Sequence, residues 1–458
     1  MLQENRSEGD TCNQRDSALL AQPINSDGLN RCFVAYCIGL ILGYALYIPG
    51  RTMPGFPAGG PGDFIIYYTG ARIIRDGNGG RLYDLDVQSQ VQQTLLIQHG
   101  WKYEGGLLPY VNPPFLAGFL VPLSFVPLAY AFHIWNLLCI LMLLFCIRTF
   151  LPGPAVSRAL LVRVVIALSF FPVFESLWQG QSSFVVLLAF TLCYRSLRKH
   201  ADGEAGIALA LGLLKPQLIV VPAATFLFLR RWRTVTAFGL AGIVLVLLSW
   251  ILVGTDGLVS YLKLSSVMLN WAGVRGMHPT LMPNLRGTVY RMGEWFGFRT
   301  GPEATAAWVS TTIVVCGLAV FVLFVRTWHK RCRLGSSEFD LCFAEIVVCS
   351  LLLSPHLYGH DLSVLVLAGF LAARYLDDRG RVAQRNRLIC LGHMGITLPY
   401  LLGLGLELRA QVIAVLLIVL MIMLGRESGF DRRREATRGT GIGREDSEVR
   451  GRMARSRE

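Results

Sequence analysis

The sequence predicts an all-α polytopic membrane protein with about twelve transmembrane spans. Three observations predict it. Hydrophobic residues make up 53% of the 458-residue chain and charged residues only 16%, against about 25% charged in a soluble domain. Mean hydropathy is +0.48. The apolar residues come in blocks long enough to cross a bilayer, which takes roughly 20 residues as helix. These features exclude a disordered chain, a collagen-like repeat, a disulfide scaffold and a soluble dinucleotide-binding enzyme as descriptions of the whole.

The apolar segments run approximately over 31–48, 127–150, 159–177, 182–198, 205–214, 217–229, 234–253, 304–327, 338–353, 361–377, 387–404 and 409–425. Residues 1–30 are polar and lack the apolar core and cleavage site of a signal peptide. The first segment therefore reads as an uncleaved span. The fifth and sixth are short and meet at Lys215-Pro216. Proline cannot donate the helical hydrogen bond of its own nitrogen, so the helix breaks there, either as a turn between half-spans or within one span. Irregular backbone at membrane depth is tolerated only where protein or water covers it. The chain divides into a cytoplasmic segment 1–30, a membrane domain 31–425 and a basic tail 426–458.

Arginine placement sets the orientation. Arg195, Arg198 and Lys199 follow the fourth segment, and Arg230, Arg231 and Arg233 follow the sixth. Arg326, Lys330, Arg331 and Arg333 follow the eighth; Arg374, Arg379, Arg381, Arg385 and Arg387 follow the tenth. The short loops 178–181 and 354–360 contain no Lys or Arg. The positive-inside rule then makes both termini cytoplasmic and counts Lys215-Pro216 as a turn. Residues 49–126 and 254–303 become long outward loops. The first carries two amphipathic helical segments, 63–75 and 81–98. After Pro113-Pro114, the apolar run from Phe115 to Pro127 is too short to span and reads as re-entrant or interfacial.

The formal net charge is +13, densest from Arg426 to Arg457, with acidic residues interleaved. No aromatic residue follows Phe430 to stack on bases, so the tail's expected partner is anionic lipid and not nucleic acid. Eleven cysteines include no CxxC. Most lie in apolar blocks, as Cys139 and Cys349 do, and read as small core residues.

The residues that carry chemistry fall near span ends, where ionisable groups are costly without a purpose. Asp63, in Gly62-Asp63-Phe64-Ile65-Ile66-Tyr67-Tyr68, reads either as a helix N-cap or as a carboxylate over the outer mouth of the bundle, bordered by Tyr67 and Tyr68. Tyr83 and Asp84 are a turn or a second cap, or pocket residues. Tyr110 and Asn112 form a corner that could line the site. Gln181 caps a turn or binds a ligand hydroxyl. Lys215 snorkels, or holds a phosphate as a point charge. In the second outward loop Asn270, Trp271, Arg275, His278, Asn284 and Arg286 offer phosphate and hydroxyl contacts. The segment from Ser354 to Asp361 holds His356, Tyr358, His360 and Asp361. His356 and His360 have helical metal-ligand spacing, but Pro355 and Gly359 argue against a helix and no third ligand is indicated.

Asp63, Tyr83, Tyr110, Gln181, Lys215, His356 and His360 all come out on the non-cytoplasmic side. A carboxylate base, a cationic phosphate holder and an aromatic-lined mouth suit glycosyl transfer from a lipid phosphate. An outward-facing enzyme cannot draw on cytoplasmic nucleotide sugars.

At these residues the sequence resembles the polyprenyl-phosphate-mannose-dependent mannosyltransferases, glycosyltransferase family 87 of the GT-C superfamily. The matching pieces are Asp63-Phe64 with Tyr67-Tyr68, Leu82-Tyr83-Asp84, Tyr110 to Pro114, Pro122, Gly180-Gln181, Lys215-Pro216 and Ser354-Pro355 to His360, in order across roughly 60–370. The resemblance implies a helical GT-C fold with soluble helices in the first outward loop. It implies inverting transfer of a sugar, typically mannose, from a polyprenyl-phosphate donor to a glycan or glycolipid acceptor, in the plasma membrane. It implies Asp63 as general base, His360 as a functional histidine and Lys215 on the lipid phosphate; Arg286 and Gln181 join Lys215 on the donor by their own chemistry. No cofactor or metal is demanded. The competing reading, a transporter or flippase for a lipid or small solute, predicts charged residues in mid-span, whereas most spans here carry polar groups only at their ends.

Overall fold

The computed structural model describes residues 26–50, 60–101, 106–150, 157–269, 279–296, 304–331 and 336–426. Among these the chain is helical throughout, with no strand. The basic tail and the positions 270–278, which include Asn270, Trp271, Arg275 and His278, lie outside the described residues.

Helix α1 (Ser26–Gly50) turns apolar side chains such as Leu42 and Leu46 outward, as a lipid-facing span does. The first long loop then folds into three short helices. Helix α2 (Phe64–Arg75) follows the expected 63–75, but its burial goes beyond one face: Tyr67, Thr69 and Ile73 are buried along with Phe64, Tyr68 and Ala71. Helix α3 (Leu85–Gln98) starts where Asp84 accepts hydrogen bonds from the nitrogens of Asp86 and Val87. Helix α4 (Pro114–Leu120) runs into a 3-10 turn, Val121–Phe125. It ends far short of a bilayer's thickness, as the re-entrant reading requires. It packs against α2, and the amide of Phe115 donates to Ser249 of the later helix Trp232–Leu269.

Helix α5 (Leu128–Thr149) crosses in one piece. The third apolar block does not. It forms α6 (Arg158–Ser169) and α7 (Phe171–Gln179), bent by 66°. Pro172 has no N–H to offer the carbonyl four residues back, and Phe170 takes extended backbone, so the helix restarts at a new angle. Helix α8 (Ser183–Arg198) runs back. The next two blocks form a hairpin: α9 (Asp202–Ala210) with the 3-10 turn Leu211–Leu214, then α10 (Pro216–Phe228). Arg231 pairs with Asp202 at 3.1 Å, so the hairpin begins and ends at one end, with Lys215 at its tip.

Helix α11 (Trp232–Leu269) contains a break at Gly254, which takes φ 70° and ψ −177°, a backbone only glycine adopts readily. The break falls where the seventh span was expected to end. Helix α12 (Leu285–Trp295) belongs to the second long loop, and α13 (Ala304–Arg331) follows. Helix α14 (Glu338–Leu353) is buried on every side, the mark of a helix at the centre of a bundle. It neighbours α15 (Leu365–Asp378), which follows a 3-10 turn, Gly359–Val364. Helices α16 (Val382–Leu401) and α17 (Leu406–Arg426) complete the bundle.

All twelve apolar blocks are thus helical. Among the described residues four helices, and a fifth if the bent α6–α7 pair is one span, are long and apolar enough to cross a membrane by themselves. The shorter ones are the inner ones, such as α8, α14 and α15, whose surroundings are other helices and not lipid.

The bundle has two chemically different ends. At one, Tyr194 donates to the buried Asp340 at 2.5 Å, while Arg198 and Arg374 lie 3.6 and 3.5 Å from the same carboxylate. Arg379 reaches Glu338 at 2.5 Å there. At the other end, the start of α8, the hairpin tip and the turn before α15 meet.

Candidate active site

The meeting point is built from four separate parts of the chain. Asp63 stands at the N-cap position of α2 in helical conformation, φ −70° and ψ −11°, and its side chain makes no capping bond. Its carboxylate is used elsewhere: Oδ2 accepts a 2.6 Å hydrogen bond from Gln181 Nε2. Gln181 reaches it because Gly180 ends α7 in the left-handed region, φ 67°. A Cβ on Gly180 would lie 2.6 Å from the Cβ of Phe64, so only glycine allows this approach.

Gln181 Oε1 accepts from Tyr67 Oη at 2.8 Å and from Lys215 Nζ at 3.1 Å. Lys215 is 5% exposed and also donates to Ser183 Oγ at 3.0 Å and to Asp361 Oδ1 at 2.5 Å. An ammonium carries three protons and no acceptor, so all three are committed. A phosphate contact from Lys215 requires one of these bonds to be exchanged. Asp361 is 1% exposed, accepts from Ser183 Oγ at 3.1 Å and takes the backbone N–H of Tyr358 at 3.3 Å.

The chain of donors fixes the polarity of the site. Lys215 can only donate, so the Gln181 amide must turn its oxygen to Lys215 and its NH2 to Asp63. Oδ2 of Asp63 is therefore an acceptor, the state a base requires. Burial holds the Tyr67 hydroxyl above its ordinary pKa, and it stays a donor.

The turn 354–360 closes over this network. Asn284 caps α12 through the amide of Gly287 and donates Nδ2 to Ser354 O at 2.7 Å. Arg286 donates to Pro355 O at 2.7 Å and lies over the Tyr290 ring. His356 packs edge-on against Tyr358, with centroids 4.9 Å apart. His360 Nε2 is 3.6 Å from Asp361 Oδ2, too long for a hydrogen bond. Burial pushes the His360 imidazole down to about 3, against the pull of Asp361, so it is neutral at physiological pH. His356 is lowered by burial as well.

The remaining residues singled out in the sequence have structural partners. Tyr68 donates to Val126 O at 2.9 Å. Tyr83 donates to Asn112 O at 2.6 Å and packs on Tyr110. Tyr110 is fully buried: its hydroxyl donates to Pro113 O at 2.8 Å and accepts from the Ala117 amide, while its own amide reaches Gln88. Asp84 caps α3 and pairs with Arg81 at 2.7 Å, which holds its carboxyl below the usual range. These four shape the support beneath Asp63 and α4, and not the hydrogen-bonded centre.

Two residues that sequence reasoning passed over, Ser183 and Glu175, enter the site, and a third, Asp361, enters in an unexpected role. Ser183 bridges Lys215 and Asp361. Asp361 was seen only as the neighbour of His360, yet it is the counter-ion of Lys215. Glu175 is the only acidic residue in 159–177. Its Oε2 is buried without a hydrogen-bond partner, and both Asp63 and Asp361 lie within its electrostatic range. A Cβ at Gly359 would come within 2.2 Å of that oxygen and 2.3 Å of Tyr400 Oη, so the turn rests directly on the carboxylate. The hydroxyl of Tyr358 is likewise buried without a partner. The signal was present: an acid inside an apolar block marks function by default.

Searches of curated proteins and of solved structures return no match. The sequence model of glycosyltransferase family 87 matches residues 110–355, which hold Gln181, Ser183, Lys215 and Arg286 and make up more than half of the chain. Nothing in the comparison supports a transporter. With helices built for a membrane and a buried polar centre to which the matched region gives Gln181, Ser183 and Lys215, the chain belongs to glycosyltransferase family 87.

Proposed function

We propose that this membrane glycosyltransferase transfers mannose, with inversion, from a polyprenyl-phosphate donor to a glycan or glycolipid acceptor, with Asp63 as general base. The observation that carries the reading is the chain Asp361, Lys215, Gln181, Asp63, which presents an accepting carboxylate oxygen. In the step, Asp63 takes the proton of an acceptor hydroxyl. That oxygen bonds to the anomeric carbon from the face opposite the phosphate. The bond from carbon to phosphate oxygen breaks and its electron pair leaves on the phosphate. A phosphate needs no proton to leave, so one base suffices, and Arg286 or a released Lys215 would steady its charge.

The positive-inside reading supports an outward-facing site, and the family resemblance supports the plasma membrane. The basic residues Arg198, Arg374 and Arg379 gather at the end opposite Asp63. Two buried oxygens without partners, on Glu175 and Tyr358, suit sugar hydroxyls as ligands. The test is a donor panel with purified protein and a membrane lipid extract as acceptor. The proposal expects label transfer from polyprenyl-phosphate mannose and none from a nucleotide sugar. Transfer from the nucleotide sugar alone would overturn it.

A further inference from the structure

A second site lies at the other end of the bundle. A cavity of about 1010 Å³ opens between α1, α6, α15, α16 and α17. Its lining includes Arg31 and Arg158, at the starts of α1's apolar segment and of α6, and Asp377 and Arg385, at the end of α15 and the start of α16. These are the helix ends remote from Asp63, Asp361 and Tyr400. Around His393 the wall is apolar and aromatic, with Phe33, Phe170 and Ile396. The volume is at the upper end of the range for ligand pockets, about 300–1,000 Å³.

The charge around this cavity is unbalanced. Arg163 and Arg385 share one carboxylate, Asp377, at 4.0 and 2.5 Å. Arg31 and Arg158 are exposed and have no ion pair among the described residues. Four arginines and one carboxylate thus line the crevice; Arg163 and Arg385 hold Asp377, Phe150 O and Asn386, and Arg31 and Arg158 carry the uncompensated charge. A second, independent feature lies within. His393 is 5% exposed and lines the cavity. Its Nε2 is 2.9 Å from Ser169 Oγ, while Nδ1 is buried without a partner.

We infer that this crevice binds an anionic phospholipid of the leaflet opposite the transfer site. The phosphate sits among the arginines, which match its oxygens in pairs. An acyl chain lies along Phe33, Phe170 and Ile396. The glycerol or ester region comes within reach of His393. Charge complementarity selects this occupant: a zwitterionic lipid leaves the cationic rim uncompensated, and a free phosphate leaves the apolar floor bare.

Native mass spectrometry of the detergent-purified, delipidated full chain tests the inference. Phosphatidylglycerol is titrated against phosphatidylcholine for wild type, Arg31→Gln/Arg158→Gln and the charge-keeping Arg31→Lys/Arg158→Lys. Each basic residue near an anionic headgroup is worth about 1 kcal/mol, so the Gln pair should bind phosphatidylglycerol about thirtyfold more weakly. The Lys pair should stay within a few-fold of wild type, which also shows that the fold survives. Equal affinity for the two lipids, or undiminished phosphatidylglycerol binding by the Gln pair, would overturn the inference. So would thermal stabilisation by inorganic phosphate equal to that by phosphatidylglycerol, which would identify a free-anion site. None of these results bears on Asp63 or on transfer.

Discussion

At the scale of single residues, the site separates groups by protonation state. Asp63 accepts, Tyr67 and Lys215 donate, and His360 is held neutral by burial at about 3. The neutral imidazole gives a pH prediction. In the unfolded chain a histidine titrates near 6.5. The folded value is lower, so the contribution of His360 to stability is complete above pH 6.5 and is lost as pH falls from there towards 3. At pH 5 the loss is about 2 kcal/mol. Thermal unfolding in detergent at pH 7 and pH 5 should show His360→Gln losing less on acidification than wild type. Equal losses would mean that the imidazole is protonated in the folded protein. Sequence reading found Asp63, Gln181 and Lys215, because a polar residue at the end of an apolar block stands out. It could not tell which would touch: Asp63 and Gln181 are 118 positions apart. Nor could it assign Asp361 to Lys215, 146 positions away.

At the scale of elements, the hairpin tip and the turn before α15 depend on one buried ion pair. Breaking such a pair from one side strands a charge and typically costs about 3–5 kcal/mol, whereas replacing both by apolar groups is often neutral. Lys215→Met and Asp361→Leu should each lower stability by about that much, and the double variant by clearly less than the sum. A double-mutant cycle from thermal unfolding measures the coupling. Additive losses would mean that the two residues do not act as a pair. The short helices of the first long loop were legible: α2 follows its periodicity and α3 starts at its Asp84 cap, whereas Asp63 does not cap α2. The bend at Phe170 was not read, although Pro172 could have signalled it. A proline two residues into a helix looks the same in sequence whether the chain before it continues straight or turns through 66°.

At the scale of the whole molecule, the family match covers residues 110–355, while Asp63 and Asp361 lie on either side of it. The fold joins them through Gln181 and Lys215. The two ends of the bundle differ in charge, and this polarity was legible from arginine positions alone. The orientation predicts that an impermeant maleimide applied to intact cells labels Gln90→Cys, on exposed α3, above the native-cysteine background. Arg195→Cys, at the basic end, should label only after permeabilisation. The reverse pattern would invert the assignment of faces.

The central claim is that Asp63 removes the acceptor's proton. The most direct measurement compares transfer from polyprenyl-phosphate mannose by wild type and by Asp63→Asn, with donor binding measured on the same preparations. A general base contributes about 10²–10⁴-fold. The account predicts that turnover falls by that factor or more while donor affinity stays within a few-fold, because asparagine keeps the shape and loses the basicity. Turnover within a few-fold of wild type would contradict it.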